Sequence, residues 1–233
     1  MVSTPKDVVA VIAGPGGVAE SLRKEQIVID MSTVDPATSS KAADAVRAKG
    51  ADFLDAPVSG SKQPAEERTL VIMAGGKRET YERALPVLQA MGKVIHAGDV
   101  GSGAAMKLVV NMILGHMMAA LSEGAVLAQK LGLDVPQMLD VIATGGLQSP
   151  WYGKKAQKIL AGDFSVNFAL KHMHKDLRLV LGMGHESHVP LPVTEAVEAL
   201  FNQAAAASKN ELDYSSVITI VESQAGVQVR RPS

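Results

Sequence analysis

Gly101-Ser102-Gly103-Ala104-Ala105-Met106-Lys107-Leu108-Val109-Val110-Asn111 is where this chain changes character. Upstream, short apolar runs alternate with helical patterns. Residues 27–29, 52–54, 70–74 and 93–97 read as strands. Residues 36–49, capped by Asp35, and 78–91, kinked at Pro86, read as helices. That alternation predicts an α/β domain over residues 1–100, the C-terminal part of a doubly wound Rossmann-type sheet. From Gly103 onward strand signals disappear. Residues 104–131, 135–144, 150–160, 170–186, 192–207 and 214–223 read as helices, so 101–233 is predicted to be an all-α domain. The first of these helices is apolar nearly all round, as expected of a core helix packed on several sides.

The same stretch carries the first candidate chemistry. Lys107 and Asn111 stand at i and i+4, so their side chains share one helix face. An ammonium on an apolar helix is costly to bury, and burial shifts lysines toward neutral pH. Lys107 is therefore a candidate general acid for a developing alkoxide. The competing reading is a lysine that snorkels from a half-exposed helix, and spacing alone does not separate the two.

Three other segments could supply partners. Asp55-Ala56-Pro57-Val58-Ser59-Gly60 follows a strand, and ligands of open α/β sheets bind at strand C-termini. Ile27-Val28-Ile29-Asp30 runs into Met31-Ser32-Thr33 in the same way. Asn167-Phe168-Ala169-Leu170-Lys171 leads to Lys175-Asp176. Taken singly, a turn serine is usually only a turn serine, and a Lys-Asp pair is usually a solvated helix face.

In this order the segments resemble the β-hydroxyacid dehydrogenase (3-hydroxyisobutyrate dehydrogenase-related) family. The likeness is strongest to its plant and algal glyoxylate/succinic semialdehyde reductases, through the Ser-Lys-x-Pro-Ala-Glu run at 61–66, the 101–118 stretch, Ser122-Glu123-Gly124 and the 168–176 segment. The resemblance extends to about residue 222. It implies hydride transfer from NADPH, with NADH as the alternative, to a small aldehyde or 2-oxo acid. It further implies Lys107 as the acid, Asn111 as its orienting partner, and Asp176 within reach of Lys107. Ser59 and Gly60 would hold the substrate carboxylate and Phe168 would wall the pocket. Thr4, Thr33 and Lys175 would touch the cofactor, and the helical domain would form a homo-oligomer.

One feature departs from the family. The strand, Gly-x-Gly-x-x-Gly turn and helix that hold a dinucleotide pyrophosphate are not in this sequence. Gly14-Pro15-Gly16-Gly17 lies between two helical segments, 8–12 and 18–22, and reads as an ordinary loop. By the resemblance Met1 falls inside the cofactor domain, near the end of its third or fourth strand. The alternative function is thus a catalytically inactive truncated homologue that acts through its helical dimerisation domain.

Composition excludes other classes more than it identifies this one. A net charge of −1 gives no electrostatic case for nucleic acid or an anionic membrane surface. The absence of cysteine excludes disulfides and thiolate metal sites. His172 and His174 have no matching carboxylate cluster, so no metal is expected. Lys107, Asn111 and His116 interrupt the most apolar stretch and argue against a membrane span. The expected location is cytoplasmic, or plastid or mitochondrial if a transit peptide precedes Met1.

Overall fold

A computed structural model describes residues 1–230; the last three residues, where the second predicted domain ends, lie outside the described residues. The chain divides into two compact units, Met1–Met112 with Leu179–Val189, and Ile113–Arg178 with the chain from Pro190 onward.

The first unit is built on a five-stranded sheet: β1 (Ile27–Asp30), β2 (Asp52–Asp55), β3 (Val58–Ser59), β4 (Leu70–Gly75) and β5 (Gly92–Gly98). β1 and β2 are parallel, with Asp30 opposite Asp55 at their C-terminal ends. β4 and β5 are parallel to each other, but β4 runs antiparallel to both β2 and β3. The two parallel pairs are each joined through a helix, α2 (Pro36–Arg47) and α4 (Arg78–Gln89), as parallel crossovers require. The link from β2 to β4 instead holds only β3 and the short helix α3 (Lys62–Glu66), and the chain reverses there.

Side chains alternate across a sheet, and Phe53 and Leu54 show the result. Phe53 packs with Val8 and Ile12 of α1 (Pro5–Ala13) and with Ala42, Ala43 and Val46 of α2. Leu54 packs with Ile72 and with Tyr81, Ala84 and Leu88 of α4. Helices on both faces make this a Rossmann-type layer arrangement, and each such fully buried side chain is worth about 1.5–3 kcal/mol. The Gly14–Gly17 segment is the exit from α1 into a 3-10 turn at Val18–Ser21, with a helix and not a strand before it.

α5 (Ser102–Lys130) is the longest helix. By length and composition it is the one helix among the described residues that could cross a bilayer, yet Lys107 and Asn111 are buried on it. The second unit contains α6 (Val135–Thr144), α7 (Pro150–Ala161), the start of α8 (Leu170–Glu186), α9 (Pro192–Ala206) and α10 (Ile218–Ala225), the last preceded by a 3-10 turn at Tyr214–Val217. Asp134 and Ser149 cap α6 and α7 by accepting from Gln137 and Trp151 N–H. Met118, Leu121, Leu170, Met173, Leu177, Phe201 and Ile218 form its core.

Candidate active site

The first turn of α5 is held by a residue far away in sequence. Asp55, at the end of β2, accepts from Gly101 N–H through Oδ1 and from Ala104 N–H through Oδ2, each at 2.8 Å. These are groups that the helix itself leaves unpaired, and a carboxylate there also complements the helix dipole. Gly103 and Gly75 make the approach feasible. A Cβ on Gly103 would stand 2.2 Å from Met73 O, and one on Gly75 would stand 2.7 Å from Asp55 Oδ1.

Burial pushes the Asp55 carboxyl up to about 6, against the pull of the Gly101 and Ala104 amides. A carboxyl raised in the folded chain favours folding fully below the unfolded value of 3.8, and that contribution is lost as pH rises through about 6. Asp55→Asn cannot titrate. Urea unfolding at about pH 4.5 and 7 should therefore show the variant without a pH-dependent loss of at most about 3 kcal/mol that the wild type undergoes. Equal pH profiles for the two proteins would refute this.

One turn beyond that anchor, Lys107 Nζ donates to Asn111 Oδ1 at 2.8 Å. Lys107 is only 8% exposed and Asn111 1%. The i, i+4 pairing expected from the sequence is thus present, and the lysine does not snorkel. Leu108 and Ala104 beside it are fully buried.

Ser59 ends β3 opposite Val71 and is half-buried, and Gly60 follows at φ 126°. There a Cβ would meet Leu70 Cδ2 at 2.8 Å and Pro64 Cβ at 2.9 Å, so only glycine fits. At the end of β1, Asp30 Oδ1 accepts from Ser32 N–H at 3.0 Å and Ser32 Oγ at 2.6 Å. Ser32 Oγ in turn accepts from Val2 N–H at 2.9 Å. This network ties the Met31-Ser32-Thr33 loop to the segment that carries Thr4. Thr33 is half-buried. The Thr4 hydroxyl is engaged locally: it caps α1 in a reciprocal capping box with Asp7.

In the second unit Phe168 lies in the loop before α8, stacked on His172 at 6.2 Å and edge-on to Tyr214 at 5.7 Å. Lys175 Nζ is 2.8 Å from Asp176 Oδ1, and Asp176 is buried. This unit also holds a buried ion pair that no sequence motif announces. Lys155 Nζ meets Asp213 Oδ1 at 2.6 Å, with the lysine 8% exposed and the aspartate fully buried. Its only sequence signal was a lysine four residues before Ile159 on the inner face of α7. Burial lowers the Lys155 ammonium below the usual lysine range. Burial alone would raise Asp213, but Lys155 and the Ser215 donors outweigh it and hold the carboxyl below its usual range.

Comparison with known proteins identifies relatives of both halves of the chain. Residues 101–221 match the family model for the NAD-binding domain of NADP-dependent 3-hydroxyisobutyrate dehydrogenase. Residues 1–101 match that for the NAD-binding domain of 6-phosphogluconate dehydrogenase. Glyoxylate/succinic semialdehyde reductase 1 of Arabidopsis thaliana is 41% identical over 223 residues, which is 95% of this chain and 77% of that protein. The human cytokine-like nuclear factor N-PAC is 39% identical over 93% of this chain, but this chain covers only 39% of it. The crystal structure of a 3-hydroxyisobutyrate dehydrogenase from Salmonella typhimurium superposes with a TM-score of 0.85 at 29% identity, covering 94% of this chain and 77% of the other.

Proposed function

The chain belongs to the β-hydroxyacid dehydrogenase family, and from that premise we propose that it reduces a small acidic aldehyde or 2-oxo acid, glyoxylate or succinic semialdehyde, to the hydroxy acid at the expense of NADPH. The observation that carries this reading is the buried Lys107–Asn111 pair at 2.8 Å. An ammonium held dry and aimed by an amide is suited to giving its proton to an oxygen as negative charge develops there.

The roles follow residue by residue from the family. When bound, a nicotinamide cofactor would supply the hydride that the carbonyl carbon receives. Lys107 gives the carbonyl oxygen its proton and is left as the neutral amine, and Asn111 fixes the direction of that transfer. Asp176 is assigned from the family as an accessory carboxylate of the proton transfer. Ser59 and the backbone at Gly60 donate to the substrate carboxylate, and Phe168 excludes water from the pocket. Thr33, Thr4 and Lys175 hold the nicotinamide-ribose end. The donor set suits that end, since hydroxyls and an ammonium match ribose and carboxamide groups. Asp30 Oδ2, buried at the β1 terminus without a donor among the described residues, is an acceptor of the kind a ribose hydroxyl satisfies. The helical unit is assigned as the homo-oligomer surface.

The test is NADPH oxidation by the purified chain with glyoxylate, succinic semialdehyde and a neutral aldehyde of similar size, beside a fluorescence titration with NADPH alone. Turnover confined to the two acids is expected. A folded chain that binds NADPH but turns over none of them refutes the reading. A second reading is a silent homologue acting through its helical unit; the chain is also similar to a protein named as a nuclear factor. That reading expects neither binding nor turnover.

A further inference from the structure

The buried ion pair of the second unit has no part in the reaction as described, yet the Asp213 carboxylate is saturated with donors. Its Oδ1 accepts from Lys155 Nζ at 2.6 Å, from Ser215 Oγ at 2.6 Å and from Ser215 N–H at 3.1 Å. Its Oδ2 accepts from two consecutive amides, Asn167 N–H at 3.1 Å and Phe168 N–H at 3.2 Å. A buried pair is a poor way to gain stability, because well-packed apolar residues of the same volume do as well or better. What the second oxygen achieves is different in kind. It fixes two peptide groups in a stretch that belongs to no helix, beside the Ala169–Asp213 bridge.

Phe168 is fixed from its other sides as well. Its carbonyl accepts from Tyr214 N–H at 2.9 Å, and its ring meets the Tyr214 ring edge-on. Tyr214 is in turn clamped, with Lys155 Nζ 4.1 Å from its ring centroid and its hydroxyl accepting from Trp151 Nε1 at 2.7 Å. Lys155 therefore steadies both the carboxylate that holds the Phe168 amide and the ring that Phe168 packs against.

We propose that Asp213, held in place by Lys155, is a positioning residue of the reaction: it sets the Asn167-Phe168 backbone, and through it the Phe168 ring, and so determines substrate fit without touching the substrate. This rests on the reading of Phe168 as the wall of the substrate pocket. A misplaced wall weakens substrate binding and leaves the proton donor on α5 alone, so the effect falls on KM and not on kcat.

Asp213→Asn tests this. The amide oxygen must face Lys155, because an NH2 group there would oppose the ammonium. The NH2 then faces Asn167 and Phe168, donor against donor, and releases them. Ser215→Ala is the control, since it strips one donor from Oδ1 and leaves the Oδ2 side intact. Asp213→Asn is expected to raise KM for the carbonyl substrate about tenfold, with kcat within about threefold and NADPH affinity unchanged. Amide hydrogen exchange should accelerate at least about tenfold in a peptide spanning 163–169 and stay unchanged in one from α7. Ser215→Ala should do none of this. If Asp213→Asn fails to fold, Lys155→Arg decides. It keeps the charge pair, but its wider fork must displace the carboxylate, so KM should again rise with kcat held. An active variant with unchanged KM and unchanged 163–169 exchange overturns the proposal and leaves a purely structural pair. A wild-type chain without turnover sinks the reductase reading itself, and the proposal with it.

Discussion

Lys107→Ala is expected to lower kcat for NADPH-dependent reduction by about a thousandfold, inside the range of about 10²–10⁴ for loss of a general acid. The carbonyl oxygen must then take its proton from water, which has neither the position nor the acidity of a buried ammonium. KM should change little, because the carboxylate contacts assigned to Ser59 and Gly60 lie on a different element. The loss should not reflect unfolding. The substitution does leave the buried Asn111 Oδ1 without the Lys107 donor, which should cost about 1–3 kcal/mol. A modestly lower melting temperature, with the chain still folded at about 25 °C and turnover lost, is therefore the expected pair of results. Lys107→Arg should also be slow, since a guanidinium keeps its proton at any working pH. Small alkylamines added to Lys107→Ala should restore part of the rate, and more so for amines that fit the vacated volume. A Lys107→Ala enzyme that keeps a tenth or more of wild-type turnover would remove the lysine from the mechanism.

Local patterns carried much of this reading. Lys107 and Asn111 were legible together because helical spacing alone puts i and i+4 on one face. α6 and α8 begin and end where periodicity places them, and α6 also carries local signals in its Asp134 cap and the Gly145 that ends it. The features that were not legible depend on distance in sequence. Nothing near Asp55 announces that it will cap a helix beginning at Ser102, because capping from another strand leaves no fixed spacing. The Lys155–Asp213 pair spans 58 positions. The direction of β4 was not readable either, because alternation identifies a strand without its sense. β3 and α3 were missed for a simpler reason: two strand residues and five helical ones, with Pro64 among them, are too few to show a period. Thr4 shows the opposite case. Thr4-Pro5-Lys6-Asp7 is a capping box in plain sequence, a role that needs no distant partner.

Two glycine-to-alanine changes on the same helix should act in opposite directions, and the contrast tests the anchoring of α5. Gly124 has open space around its missing Cβ, so Gly124→Ala should be neutral or stabilise by up to about 1 kcal/mol through helix propensity. Gly103 has none. Its Cβ would lie 2.2 Å from Met73 O, 2.8 Å from Asp55 O and 2.9 Å from Asp55 Oδ2, and all three are backbone or anchored atoms. The first turn of α5 would have to move away from the sheet and lose the amide bonds to Asp55. Overpacking together with an orphaned buried carboxylate should cost about 3 kcal/mol or more, read as a lower urea midpoint at unchanged m-value. Activity should fall further than stability explains. Lys107 is one turn along the same face, and a shift of about 1 Å in a reacting group costs on the order of 10²-fold in rate. The residual folded fraction of Gly103→Ala should thus be slow as well as scarce. Asp55→Ala gives an independent check, because it removes the cap without overpacking and should lower both quantities by a smaller factor. If Gly103→Ala unfolds within about 0.5 kcal/mol of wild type, α5 is not clamped at its first turn, and the placement of Lys107 must come from elsewhere on the helix.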